Sequence, residues 1–119
     1  MSARPATLLL LVLFSEVGTD DAPTRIRAGS HRDMVKVLDG KQVLDPMKMG
    51  PIFDAAGSDR PLALATGSPG DAYVVHPFTV HAAQEHLGTE PRFMAQMPFV
   101  LTKPLSPGGD TPLARAIGW

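Results

Sequence analysis

The sequence predicts a single, mainly-β domain in which short strands surround one core, accompanied by two minor helices. Twelve prolines and eleven glycines in 119 residues interrupt the chain so often that long helices are disfavoured and short strands joined by turns are favoured. A hydrophobic content of 44% is ordinary for a globular chain and argues against disorder throughout. The length suits one small domain or a part of a larger one.

Short apolar runs bounded by turn residues mark the strands. Residues 7–14 form an unbroken apolar run, which is typical of a strand that is covered on both faces. Further strands are predicted at 23–27, 61–65, 71–81 and 92–101. Pro77 has no N–H to donate to a ladder, so a bulge or an unpaired position is expected there. The polar loop between the last two runs predicts that they form a β-hairpin.

The run at 7–14 has a second interpretation as the apolar part of a signal peptide, because Arg4 precedes it. It is too short to span a bilayer, and no small-x-small cleavage site follows it. A buried strand in a cytoplasmic protein is therefore preferred. A small secreted protein is kept as a weaker third interpretation.

Two short helices are predicted where capping residues stand in front of suitable positions. Ser30 would cap a helix over 31–38, and Thr111 would cap one over 112–117 with Pro112 at its first position. Residues 39–59 show no clear period. That stretch is predicted to be a loop insertion of the kind that often covers a substrate site.

Composition excludes several classes of partner and site. A formal charge of −1 provides no basic surface for nucleic acid or for acidic membranes. The chain has no cysteine, so disulfides and thiolate metal sites are excluded. The four histidines are therefore the natural candidates for binding a metal.

Among the histidines, position along the strand separates the candidates. His76 and His81 are five residues apart, so on a regular strand they would lie on opposite faces and could not share one ion. His81 stands at the end of the strand, where a barrel opens to ligands. His86 lies in the polar loop and is most simply a surface residue. Taken singly, each of them is more often structural than a metal ligand.

Arg92 lies across the predicted hairpin turn from His81. A guanidinium near a metal ligand suits a co-substrate that bears a carboxylate, which it can clamp through two parallel hydrogen bonds. An exposed ion pair with Glu85 or Glu90 is the alternative, and it would contribute little to stability. Spacing alone does not decide between the two.

A family resemblance lies in the same region. Residues 67–83 read Gly-Ser-Pro-Gly-Asp-Ala-Tyr-Val-Val-His-Pro-Phe-Thr-Val-His-Ala-Ala, and residues 88–96 read Gly-Thr-Glu-Pro-Arg-Phe-Met-Ala-Gln. Together they resemble the hairpin of phytanoyl-CoA dioxygenase-like proteins, with its Gly-Asp, its His-Pro and its later histidine and arginine. Weaker likenesses lie at 8–17, 21–24, 28–32 and 111–117, and the resemblance fades over 39–59.

The resemblance implies a fold, a chemistry and two site residues. Residues 1–119 would be the C-terminal part of a dioxygenase domain, with a partial double-stranded β-helix of the jelly-roll or cupin-like kind. The implied metal is Fe(II), the co-substrate is 2-oxoglutarate, and a small molecule would be hydroxylated. His81 would be the distal iron ligand and Arg92 the anchor for the far carboxylate of 2-oxoglutarate. His76 is not a ligand in that family.

The family's other two iron ligands form a His-x-Asp pair that normally precedes the strand matched by 7–14. Residues 1–6 contain neither His nor Asp. The chain is therefore expected to be truncated, by start-site choice or gene decay, and to be inactive by itself. The alternative is a non-catalytic binding or interaction module that retains the β-helix scaffold.

His31-Arg32-Asp33 is a literal His-x-Asp match and a possible substitute. It is the weaker candidate, because it belongs to a separate Ser-His-Arg segment and stands at a predicted helix start.

A missing strand pair has a consequence for association. It would leave an unpaired sheet edge and exposed apolar surface from residues 8–14. Either poor solubility or homo-oligomers that form through that edge are therefore expected.

Overall fold

The computed structural model of the chain describes residues 7–38, 46–103, 108–116 and 118. In these residues the fold is mainly strands, arranged in two small antiparallel sheets with a few short helices. The strands are β1 (Thr7–Leu13), β2 (Arg25–Arg27), β3 (Leu62–Leu64), β4 (Ala72–Val75), β5 (His81–Ala82) and β6 (Met94–Val100). The helices are α1 (His31–Leu38), α2 (Pro46–Ala56) and α3 (Pro112–Ala116). The first sheet has the order β4-β1-β6 and the second has the order β3-β2-β5.

The apolar strand predicted at 7–14 is β1, the central strand of the first sheet. Its odd-numbered side chains point to the core, where Leu11 and Leu13 are fully buried. Its even-numbered side chains point to the opposite face, because successive side chains alternate along a strand. The run is unbroken because both faces of this strand are apolar.

The inner faces of the two sheets pack against one another. Leu11, Ala65 and Val75 are buried in this cluster. Leu9, Ile26, Tyr73 and Met94 pack around them. Ile26 belongs to β2, so the cluster joins the second sheet to the first. Full burial of a leucine stabilises a fold by about 1.5–3 kcal/mol relative to exposure.

The helices α1 and α2 pack beside the second sheet in a second apolar cluster. Met34, Val35 and Phe78 are its buried members, and Val37, Ala56 and Val80 pack against them. Gly57 follows α2, and a Cβ there would lie 3.2 Å from the Cβ of Ser30. The absence of a side chain at Gly57 therefore allows the end of α2 to approach the start of α1 closely.

The long strand predicted at 71–81 is divided between the two sheets. Its first part is β4 in the first sheet, and its last two residues are β5 in the second. Between them the chain turns at Pro77, where the N–H of Thr79 donates to the carbonyl of His76 at 2.9 Å. The missing N–H of proline thus coincides with a break in the strand rather than with a bulge.

The predicted hairpin of 71–81 with 92–101 is wrong. β1 lies between β4 and β6 and pairs with both of them. A seven-residue apolar strand can pair on both sides, and this separates two runs that are close in sequence.

The loop predicted over 39–59 is also wrong for 46–56, which form α2. Gly50 and Pro51 are poor helix formers, and they interrupt the apolar pattern that would have indicated a helix. Tertiary packing overrides their low propensity, since Ala56 of α2 packs in the second apolar cluster. Residues 39–45 of that prediction lie outside the described residues.

The helix predictions at 31–38 and 112–117 are confirmed within the described residues as α1 and α3; Ile117 lies outside them. Thr111 caps α3, since its Oγ1 accepts the N–H of Ala114 at 3.1 Å. Ser30 precedes α1, and its carbonyl accepts the N–H of Asp33 and of Met34. Its hydroxyl has a different partner, which is described below.

The expected unpaired edge at 8–14 is wrong, whereas the expected exposed apolar surface occurs in part, since Phe14 is 61% exposed. β1 is the middle strand, and the edges of its sheet are β4 and β6. Exposed apolar side chains do occur in this sheet, but they lie on its outer face. Within the described part of the chain, no helix has the length and apolar character needed to cross a membrane.

Truncation of a buried leucine side chain in β1 should lower the free energy of unfolding far more than truncation of an exposed leucine. We expect Leu11→Ala to lower the free energy of unfolding by about 2–5 kcal/mol, because it removes buried methyl groups and leaves a cavity. Urea unfolding followed by circular dichroism measures this. Leu62→Ala is the matched control, because Leu62 is 50% exposed, and it should change stability by less than about 1 kcal/mol. Equal losses in the two variants would contradict the assignment of β1 to the core.

Candidate functional site

His81 lies on the edge strand of the second sheet and is directly opposite Ile26 of β2. Residues that face each other across an antiparallel pair share one side of the sheet. Ile26 packs in the core between the sheets, so His81 is on the core-facing side as well. Its side chain is nevertheless exposed. His81 therefore stands at the margin of the space between the two sheets, where solvent has access.

The imidazole of His81 is oriented by a local contact. Its Nδ1 lies 2.9 Å from the carbonyl oxygen of Thr79. A carbonyl can only accept, so Nδ1 carries the hydrogen and Nε2 holds the lone pair. Histidines that bind metals are commonly fixed in this way, with the second ring nitrogen donating to a backbone carbonyl.

The backbone just before His81 is held from two directions. The N–H of Val80 donates to Oγ of Ser30 at 2.8 Å, and the carbonyl of Val80 accepts the N–H of Arg27 at 3.0 Å. Ser30 is fully buried. Its hydroxyl therefore joins the start of α1 to the segment that carries His81. The sequence identified Ser30 as a capping residue, but it contains no signal for this distant hydrogen-bond partner.

Arg92 stands two residues before Met94, whose side chain packs in the core. The carbonyl of Phe93 accepts the N–H of Phe14, so the ladder between β1 and β6 continues past its last strand residues. Because side chains alternate along an extended chain, Arg92 shares the inner side with Met94. Arg92 and His81 are therefore both directed toward the space between the sheets.

The guanidinium of Arg92 has a neutral partner. Its Nη1 donates to the carbonyl oxygen of Ala22, and the side chain is half-buried. The ion pairs among the described residues are Arg60–Asp33 and Arg115–Asp110. The alternative interpretation, an ion pair of Arg92 with Glu85 or Glu90, does not occur in this part of the chain. The positive charge of Arg92 is thus partly buried without a carboxylate beside it.

The His-x-Asp match at 31–33 is arranged differently. Asp33 receives two hydrogen bonds from Arg60, one from Nε at 2.8 Å and one from Nη2 at 2.9 Å. The bonded Arg60 guanidinium holds the pKa of the Asp33 carboxyl below its usual value. His31 instead contacts the ring of His76. In the described ranges no three His, Cys, Asp or Glu side chains form a group that could hold a metal ion.

His76 has partners for both of its ring nitrogens. Nδ1 accepts the N–H of Phe78 at 3.0 Å, so Nε2 carries the hydrogen and donates to the carbonyl of Leu113 at 3.1 Å. The ring of His31 lies 5.4 Å from that of His76, centroid to centroid, and His31 is hydrogen-bonded to the backbone of Ala116. The two imidazoles therefore attach α3 to the turn after β4 and to α1.

Burial lowers the pKa of both imidazoles. For His31 the charge of Arg32 acts in the same direction, and for His76 the neighbouring His31 does so. Both rings therefore favour the neutral form.

His86 lies in the loop before β6 and is exposed. Its Nδ1 accepts the N–H of Gly88 at 3.1 Å, and the residue forms an isolated bridge with Asp21. These contacts are local ones that shape the loop. They distinguish His86 from His81, whose register turns it toward the core.

Two comparisons with known proteins were negative. A scan against protein-family models and a search of curated proteins each found no match to the chain. The family resemblance therefore rests on the motifs in the sequence, and the case for a site rests on the geometry of His81 and Arg92.

The neutral histidine pair predicts how stability changes with pH. Well above pH 6.5, the ordinary pKa of histidine, both imidazoles are mostly uncharged in the folded and the unfolded chain, and they contribute little pH dependence. Below that value the unfolded chain binds protons that the folded chain does not, because the folded pKa values are lowered. The free energy of unfolding should therefore fall as the pH decreases from about 6.5, until the folded pKa values are passed.

Urea unfolding at a series of pH values from 7.5 to 4.5 measures this effect. His76→Gln should reduce the slope, since it removes one of the two titrating rings. His86→Gln is the matched control, because it makes the same substitution at an exposed loop residue outside the contact between His31 and His76. A slope that is the same in all three proteins would contradict the role given to His76.

Proposed function

We propose that the chain is the C-terminal part of an Fe(II)- and 2-oxoglutarate-dependent dioxygenase of the phytanoyl-CoA dioxygenase-like family. In this proposal His81 is the distal iron ligand and Arg92 binds the far carboxylate of 2-oxoglutarate. The observation that carries it is the arrangement of His81: Nδ1 is hydrogen-bonded to the carbonyl of Thr79, and the pairing with Ile26 puts the residue on the core-facing side of its sheet.

The arrangement of the sheets supports this proposal. Two antiparallel sheets face each other across a small apolar core, and the described residues leave one side of His81 open. We propose that they form part of a double-stranded β-helix of the jelly-roll or cupin-like kind, in which a ligand enters between the sheets. The apolar residues beneath the site, such as Met94, would keep water from the buried side.

The donor chemistry of His81 fits the proposed metal. A neutral imidazole suits Fe(II), and in 2-His-1-carboxylate sites two histidines and one carboxylate leave positions for co-substrate and oxygen. One imidazole does not hold Fe(II) usefully, because affinity depends on the whole ligand set. In this proposal the other two ligands are the His-x-Asp pair of the family, which residues 1–6 do not supply. Bound Fe(II) and 2-oxoglutarate would supply the oxygen chemistry that hydroxylates a C–H bond of a small-molecule substrate.

Arg92 fits the anchoring role on electrostatic grounds. Its half-buried guanidinium has only a neutral carbonyl of Ala22 as a partner among the described residues. A carboxylate would neutralise the charge and accept two parallel hydrogen bonds, which is the geometry that the guanidinium provides. The contact with Ala22 would hold the arginine in place before the carboxylate binds.

A paramagnetic probe can test both roles in the chain as it exists. Mn(II) broadens NMR signals of nuclei near it and is not oxidised in air, so it can stand in for Fe(II). Because paramagnetic broadening reveals even weak and transient binding, we expect Mn(II) to broaden the ring signals of His81 first without the full ligand set, and 2-oxoglutarate to strengthen this effect. Arg92→Lys keeps the charge but loses the two-pronged geometry, so it should weaken the effect of 2-oxoglutarate roughly tenfold or more.

The exposed ring of His86 is the internal control for this titration. Broadening that is equal at His86 and His81 would show non-specific binding and contradict the proposal. Broadening centred on His31 would move the metal site to the His-x-Asp match. If 2-oxoglutarate does not change the Mn(II)-induced broadening of His81, the proposed role of Arg92 is contradicted.

Anaerobic absorption spectra give a second, independent readout. Fe(II) with 2-oxoglutarate should produce no charge-transfer band in the 119-residue chain. A longer chain that carries an upstream His-x-Asp pair should produce one, and His81→Ala should abolish it. A band that appears in the 119-residue chain and disappears in His31→Ala would show that His31 and Asp33 are the ligands.

A further inference from the structure

The first sheet has an outer face that points away from the core. We use this name for the even-numbered residues 8–14, the odd-numbered residues 93–99, Ala72 and Val74. The register places them on one side, with Leu8 opposite Phe99 and Leu10 opposite both Met97 and Val74. The hydrogen bond from the N–H of Phe14 to the carbonyl of Phe93 extends the same register by one pair.

Every residue of the outer face is apolar. The inner face of the same sheet, in contrast, includes Tyr73 and Gln96. Phe14, Phe93 and Phe99 are 61%, 60% and 51% exposed, and Val74 is 70% exposed. The described helices α1 and α2 pack against the second sheet, on the other side of the core. Nothing in the described ranges covers the outer face.

The edge of β6 is a poor place for another strand to add. Facing pairs in an antiparallel ladder alternate between pairs that are hydrogen-bonded to each other and pairs that are not. Phe14 and Phe93 are a hydrogen-bonded pair, so Leu9 and Pro98 are a pair whose backbone groups point away from each other. The nitrogen of Pro98 therefore faces the free edge and has no hydrogen to donate. A proline at this place blocks edge-to-edge addition, so association through the face is favoured over association through the edge.

The size of the outer face is near what a dimer needs. An aromatic side chain buries about 150–250 Å², so three half-exposed phenylalanines present roughly 300 Å². With Val74, Met97 and the half-buried residues of β1, the patch reaches roughly 600 Å², the upper end of what monomers expose. Two such faces in contact would bury about 1,200 Å², the lower limit for a specific interface. Because the face has no charged residue, a second copy would meet it without like-charge repulsion.

We propose that the outer face is the interface to a second copy of this chain, packed sheet on sheet about a two-fold axis. The paired sheets would lie about 10 Å apart, as sheets do in β-sandwiches. A two-fold axis brings the same patch of each copy together and closes the assembly at a dimer. The proposal does not depend on the proposed dioxygenase function, because His81 and Arg92 lie on the inner side of the sheets.

Two neighbouring residues of β6 provide a matched pair of variants. Phe99 points to the outer face, whereas Val100 is paired with Thr7 on the other face and is 81% exposed. Phe99→Glu should weaken the dimer at least a hundredfold, because it places two charges in the apolar interface. Val100→Glu adds the same charge to the same strand and should leave the dimer intact. Sedimentation velocity across micromolar concentrations measures both.

Cysteine cross-linking tests the geometry separately, since the chain has no cysteine of its own. Ala95 lies on the outer face in β6, opposite Val12, and Ala95→Cys should be cross-linked into a dimer by a bismaleimide with a span of about 10 Å. Leu62→Cys places the thiol on the second sheet, outside the proposed interface, and should give no cross-linked dimer under the same conditions. This variant pair also answers the question if Phe99→Glu fails to fold.

Several results would overturn the proposal. One is a wild-type chain that stays monomeric at about 100 µM, together with an Ala95→Cys variant that gives no cross-link. Another is equal dissociation by Phe99→Glu and Val100→Glu, which would indicate a general loss of solubility. Cross-linking through residue 62 alone would place the interface on the second sheet. Binding of detergent or lipid vesicles by a monomer would mean that a lipid surface covers the face instead.

Discussion

The double pairing of β1 is the constraint on which the rest of the described structure depends. Its backbone is bonded to β4 on one side and to β6 on the other, and its odd-numbered leucines form the floor of the core. Burial of Leu11 and Leu13 contributes about 3–6 kcal/mol, which is a large share of the 5–15 kcal/mol that stabilises a typical domain. Without β1, the strands β4 and β6 would have no common partner, and Ile26 of the second sheet would lose its cover.

Around this core, single hydrogen bonds fix the position of one segment relative to another. The buried hydroxyl of Ser30 holds the backbone of Val80, so the direction of His81 depends on where α1 begins. Arg92 is held by the carbonyl of Ala22 in the loop before β2. In both cases the holding contact is made with the backbone. That leaves the lone pair of His81 Nε2 and most donors of the guanidinium for a ligand, which is why this pair rather than His31 and Asp33 supports the proposed function.

The two faces of the first sheet have different roles in the two proposals. Its inner face supports the proposed site, and its outer face is an apolar surface that the described helices leave uncovered. Of the described helices, α1 and α2 pack beside the second sheet and α3 is attached to the turn after β4, so the structure is asymmetric about its core. The proposed site between the two sheets and the proposed association surface on the outer face do not compete for space, because alternation of side chains directs the two faces of the first sheet to opposite sides.

The sequence by itself determined the local elements and the candidate residues. Apolar runs and turn residues located the strands, capping residues located α1 and α3, and a family motif singled out His81 and Arg92. Only the tertiary structure decided that β1 separates β4 from β6, that 46–56 are helical despite Gly50 and Pro51, and that Ser30 bonds Val80. The reason is physical. Propensity and capping act over a few neighbouring residues, whereas strand partners and the targets of buried hydroxyls are chosen by surfaces that meet only when distant segments pack.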